Sequence, residues 1–86
     1  MKVIYKYPLQ IIGMQTITLP EDYGILTVGM QEGNLYLWAQ GNPSTASVLV
    51  DFYIYGTGTY IHTPGNYVGT VFQGPLVWHI YYRDSQ

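Results

Sequence analysis

Two histidines, two tryptophans, three basic side chains and a glycine-threonine run are the groups in this 86-residue chain with chemistry to offer. His62 and His79, with Asp51, are possible metal donors, but they lie far apart in sequence and no cysteine can join them. No metal and no cofactor is therefore expected. The serines at 44, 47 and 85 lie in no elbow-like context, and Glu21-Asp22 reads as solvated charge in a turn rather than a paired acid and base. The chain is expected to have no catalytic residue and not to be an enzyme.

What remains are binding groups. In Tyr55-Gly56-Thr57-Gly58-Thr59-Tyr60 the glycines lack the dinucleotide fingerprint, and no Gly-Lys-Ser/Thr follows. No helix is expected after it to present its N-terminus to phosphate. The segment can still offer backbone amides and a hydroxyl as an anion-binding nest, or it can be a turn or an oligomer contact. Trp38 and Trp78, like Tyr55 and Tyr60, suit stacking on a flat ligand, although a strand tryptophan equally fills core or interface. Lys2, Lys6 and Arg83 flank the two terminal strands. If those strands are neighbours, the basic groups of one subunit, or of two across a symmetry axis, converge where phosphate can be held; otherwise they are edge charges that block aggregation.

These groups must be positioned by β-structure. No window carries apolar residues at sustained helical spacing, while period-two alternation with β-branched and aromatic residues recurs throughout. Strands are expected at Lys2 to Tyr7, Gln15 to Leu19, Ile25 to Gln31, Asn34 to Gln40, Ala46 to Tyr55, Tyr67 to Phe72 and Leu76 to Tyr82, ahead of a polar tail ending at Gln86. Pro8 and Pro20 are read as strand stops, and Glu32-Gly33 as a two-residue hairpin connection. This predicts a single all-β domain over residues 1–86, a small antiparallel sandwich or partly open barrel of about seven strands. Ala46, Val48, Val50, Phe52 and Ile54 form a core row on the longest strand. Tyr53 and Tyr55 fall on an opposite, tyrosine-rich face that also receives His79.

Charge narrows the partners. The net charge is -2 with three Lys and Arg in all, too few for duplex nucleic acid. Between Gly33 and Tyr82 the only formally charged side chain is Asp51. A surface that neutral is expected to be covered, most simply by another copy of the chain. The Met1 to Pro8 segment shows neither a signal peptide nor a membrane span, so no membrane partner is expected and the protein is placed in the cytoplasm.

Six blocks in order, Met1 to Tyr7, Gln15 to Pro20, Leu35 to Ala39, Ile54 to Gly58, Tyr67 to Thr70 and Gly74 to Tyr81, resemble a family of small proteins of tailed bacteriophages. The chain departs from that pattern at Thr59, where a histidine follows the Gly-Thr-Gly. The resemblance brings no catalytic residue with it. It implies a phage protein in the host cytoplasm that acts against host defences by binding. The expectation is a homo-oligomer that sequesters a small anionic ligand, specifically a cyclic nucleotide messenger, on Lys2, Lys6, Trp38, Tyr55, Gly56, Thr57, Gly58, Thr59, Tyr60, Trp78 and Arg83. The alternatives are direct inhibition of a host protein and a minor virion or assembly role.

Overall fold

The computed structural model describes residues 1–85 and is all-β, with seven antiparallel strands in two sheets. They are β1 (Val3–Leu9), β2 (Met14–Pro20), β3 (Gly24–Gln31), β4 (Asn34–Gly41), β5 (Ser47–Gly56), β6 (Asn66–Gln73) and β7 (Leu76–Asp84). One sheet has the order β1-β4-β3 and the other β2-β5-β7-β6, which makes a sandwich rather than a closed barrel. Gln86, the end of the expected polar tail, lies outside the described residues, while Arg83 and Asp84 belong to β7.

Alternation decides which row of each strand goes inside. Leu35, Leu37 and Ala39 on β4 face Val50, Phe52 and Ile54 on β5, with Leu9, Leu19, Val71 and Ile80 completing the buried set. Every fully buried side chain among the described residues is apolar, so hydrophobic transfer supplies the drive for closing the two layers. Ala46 precedes the strand and Val48 only packs against this core.

Pro8, read as a strand stop, is instead within β1, while β2 does stop at Pro20, its last residue. Each of these strands is the edge of its sheet, where a missing N–H costs no ladder bond. The Glu32-Gly33 connection has φ of 53° and 81°, the two positive values of a type I′ turn, and it sets the β3–β4 register.

The sandwich is closed on one side where β3 and β6, each an edge strand, pack along a seam. Both are bulged there, at Leu26 and Val68. A bulge sharpens twist and so bends each edge toward the other sheet. Gly69 permits the contact, since a Cβ at that position would stand 3.1 Å from Val28 Cγ2.

The strands bearing Lys2 and Lys6 and the strand bearing Arg83 do not adjoin. β1 pairs with β4 in one sheet, and β7 lies between β5 and β6 in the other. The apolar row of β1 is satisfied by Leu35 and Leu37 of β4, which removes the condition for the three basic groups to converge within one chain.

The turn after β2 is tied to the chain's last strand by Tyr23, whose hydroxyl donates to Asp84 at 2.5 Å. Partial burial first, and then the Asp84 carboxylate it bonds, hold the Tyr23 phenol well above its ordinary value of 10.0. Folding therefore favours the protonated phenol, and the stability it contributes is complete below about pH 10 and lost as pH rises further. Tyr23→Phe should show a shallower alkaline loss of stability than the parent, measured by urea denaturation at a series of pH values from neutrality upward. Phe52→Ala should cost about 3–5 kcal/mol in the same assay at neutral pH. Leu49→Ala, at a side chain 55% exposed, should stay within about 0.5 kcal/mol.

Candidate functional site

β5 and β6 both run antiparallel to β7 and flank it, so they are parallel to one another. β5 ends opposite Trp78, and β6 begins opposite Tyr82. The nine residues between them, 57–65, must run back along β7 and across it. The inner face is filled by the core, which leaves the outer face as the route. Four residues of strand and two strand spacings make a diagonal of roughly 17 Å, whereas nine extended residues span about 30 Å. The excess chain bows outward and leaves a cleft between itself and the sheet.

This cleft is about 250 Å³, with Tyr55, His79 and Tyr81 from the outer face and Thr57, Gly58 and Ile61 from the crossover among its lining residues. The segment opens with a tight turn in which the Thr59 amide and hydroxyl both donate to the Gly56 carbonyl, at 3.2 and 2.7 Å. Gly58 takes φ +92° there, a value that a side chain resists. Farther along, the Tyr55 hydroxyl reaches the Thr63 carbonyl at 3.4 Å and ties the segment to the sheet.

On the floor of the cleft the His79 ring is held at both nitrogens. Thr57 Oγ1 lies 2.8 Å from Nε2, and Thr70 Oγ1 lies 3.0 Å from Nδ1. The Tyr67 hydroxyl is 2.5 Å from Thr70 Oγ1, so four side chains from β6, β7 and the crossover form one continuous chain. Cross-strand register produces it, because Thr70 is opposite His79 on the side away from Tyr55. Around it, Tyr81 meets Tyr55 and Tyr67 edge-to-face at 5.7 and 5.4 Å between centroids, and Tyr53 stacks on Tyr55 at 6.5 Å.

The expected binding residues are distributed over five places. Tyr55, Gly56, Thr57, Gly58 and Thr59 border the cleft, but the Thr57 hydroxyl is engaged by His79 and the Thr59 hydroxyl by its own turn. On the other flank of the same loop, Tyr60 and Trp78 join Tyr55, Gly56 and Thr59 around a recess of about 540 Å³. The Trp78 indole N–H donates to Gln73 at 3.0 Å, and its ring packs against the core and over Gly56.

Lys6 and Trp38 are direct cross-strand partners on the outer face of the other sheet. There the Lys6 ammonium sits 4.1 Å from the Tyr36 ring centroid and donates to Gln31. Lys2 is exposed just before β1, and Arg83 lies opposite Asp51 on the outward row of β7. His79 was legible as a polar residue on the tyrosine face, but Thr70 and Tyr67 carried no signal of their own. Their role depends on the β6–β7 register past a bulge.

Chemically, the Thr57–His79 contact has nucleophile-and-base geometry, but the other ring nitrogen meets a threonine where a triad places a carboxylate. Asp51 is occupied elsewhere, accepting from the Thr16 and Ser85 hydroxyls. Among the described residues no three His, Cys, Asp or Glu side chains gather to hold a metal ion. A recess among Glu21, Tyr23, Val48, Leu49 and Asp84 is larger than the cleft, about 450 Å³, but its two carboxylates suit it poorly to an anion.

A family model described as a domain of unknown function, DUF7352, matches residues 1–86, the whole chain. The chain belongs to that family. Neither the curated proteins nor the solved structures compared with it give a match. Family membership therefore leaves the chemistry to be read from the cleft. Gly58→Ala tests how far the turn sets the cleft. It should cost about 1–2 kcal/mol by denaturation, from φ strain alone because no atom crowds the position, and should shift the His79 ring resonances.

Proposed function

We propose that this protein is a non-catalytic binding protein that takes a small anionic ligand, a cyclic nucleotide messenger, in the cleft beneath the crossover. It acts as a homo-oligomer, and in a phage-infected host it withdraws the messenger from a defence system. The observation that carries this reading is the hydroxyl–imidazole chain from Tyr67 to Thr57, which ends in a cleft that no carboxylate lines. Tyr55 and Tyr81 offer ring surface beside it, and Tyr60 and Trp78 border the neighbouring recess, so a ligand with flat bases finds stacking partners close to the polar chain.

Oligomerisation belongs to the reading for an electrostatic reason. Lys6 projects from the opposite sheet and cannot reach the cleft of its own chain. If Lys6 meets the ligand, it comes from a neighbouring copy. The uncharged character of residues 33–82 apart from Asp51 fits a surface shared between copies. A second reading, capture of a host protein, draws on Phe72 and Leu76. These are 70% and 50% exposed on opposite faces of the strand ends beside the β6–β7 turn, and exposed apolar side chains suit a protein partner.

Native mass spectrometry of the protein alone and with a panel of cyclic di- and trinucleotides separates these. The expected outcome is an oligomer carrying stoichiometric nucleotide that is released chemically intact on denaturation. A nucleotide returned cleaved would overturn the non-catalytic reading. A monomer that ignores the whole panel would transfer the case to the host-protein reading, and Phe72 and Leu76 would be the side chains to substitute.

A further inference from the structure

The Tyr67–Thr70–His79–Thr57 chain has a direction, and that direction specifies what the cleft recognises. Each hydroxyl has a single proton to donate, and a neutral imidazole has one donor and one acceptor nitrogen. Thr70 Oγ1 has no side-chain partner other than Tyr67 and His79 among the described residues, so its one proton goes to one of these two, and orienting one link orients the rest. If Thr57 donates to Nε2, then Nδ1–H donates to Thr70, Thr70 donates to Tyr67, and the outward donor is the Tyr67 phenol. In the opposite sense Tyr67 donates to Thr70, Thr70 donates to Nδ1, and Nε2–H donates to Thr57. The outward donor is then the Thr57 hydroxyl, in the cleft.

Two observations select the second sense. A phenol is a stronger hydrogen-bond donor than an aliphatic alcohol, so Tyr67 is the natural origin of the chain, and its link to Thr70 is the shortest of the three at 2.5 Å against 3.0 and 2.8 Å. Tyr67 is 57% exposed, so water can satisfy its oxygen as acceptor, and Thr57, exposed as well, lines the cleft, where a ligand or water can accept from it.

We infer that His79 carries its proton on Nε2 and that the whole chain is polarised toward the cleft, so that Thr57 presents a hydroxyl donor to an anionic oxygen of the ligand. The cleft is thus an oxyanion receptor built from neutral donors, and linked hydrogen bonds strengthen one another in this arrangement. The same polarity removes the nucleophile. With Nε2 already protonated, no base stands beside Thr57, and its lone pairs face a donor rather than an electrophile. This inference rests on the reading of the cleft as a binding site, but its central claim concerns the free protein and can be tested without a ligand.

The experiment is nitrogen-15 NMR of the intact, ligand-free protein at a pH where imidazole is neutral, observing both ring nitrogens of His79. A protonated Nε2 with an acceptor Nδ1 is expected. A protonated Nδ1 with an acceptor Nε2 would overturn the inference, because His79 would then be a base poised on Thr57. Thr70→Val provides the control, since loss of the Nδ1 partner should shift the ring toward a mixture of tautomers.

In a titration with the cyclic dinucleotides of the same panel, Thr57→Val should weaken binding about 10- to 100-fold, the loss of one hydrogen bond to a charged acceptor. Should no nucleotide bind while Nε2 carries the proton, the ligand class fails and the polarity stands. Should a nucleotide bind to a protein with Nδ1 protonated, the binding reading stands and the polarity fails.

Discussion

Much of this molecule follows from one constraint of connectivity: β5 and β6 run parallel on either side of β7, so the chain between them must return along the outside of the sheet. Had β6 paired directly with β5, a two-residue hairpin would have joined them and no cleft would exist. Insertion of β7 between them forces a crossover, and the filled interior forces that crossover outward. The nine-residue segment is longer than its path. A glycine-permitted turn takes up part of the surplus and brings Thr57 down onto His79.

The apolar interior makes that arrangement durable. The buried side chains come from both sheets and include no polar group among the described residues, so the polar groups of the candidate site all lie on the outer surface. They satisfy one another instead of the core. This separation of roles lets a small domain with a modest core carry an ordered polar chain without burying an unpaired donor. It also explains why the charge-poor middle of the sequence is compatible with a recognition site, because here the polarity is supplied by hydroxyls, an imidazole and phenols rather than by ions.

Several features of the fold were legible in the sequence, and for local reasons. The core rows of β4 and β5 appear as alternation, and Glu32-Gly33 announces its turn because two adjacent positive φ values favour such a pair. Pro8 misled as a stop because edge position is a property of the sheet, not of the strand. The three basic residues do not converge within one chain for a similar reason. Proximity of the termini in a strand list says nothing about which sheet each terminal strand enters.

The sequence by itself determined that the chain is a single set of about seven short strands, which row of β4 and β5 is buried, and that the stretch between Gly33 and Tyr82 carries Asp51 as its one formal charge. These are consequences of periodicity and composition, which act over a few residues. The tertiary structure alone decided the order β2-β5-β7-β6, the placement of Lys6 with Trp38 on one sheet and of His79 on the other, and the meeting of Thr57, Thr70 and Tyr67 around one imidazole. Alternation says which side of a strand avoids water. It does not say which strand lies beside it, and these contacts depend on that neighbour.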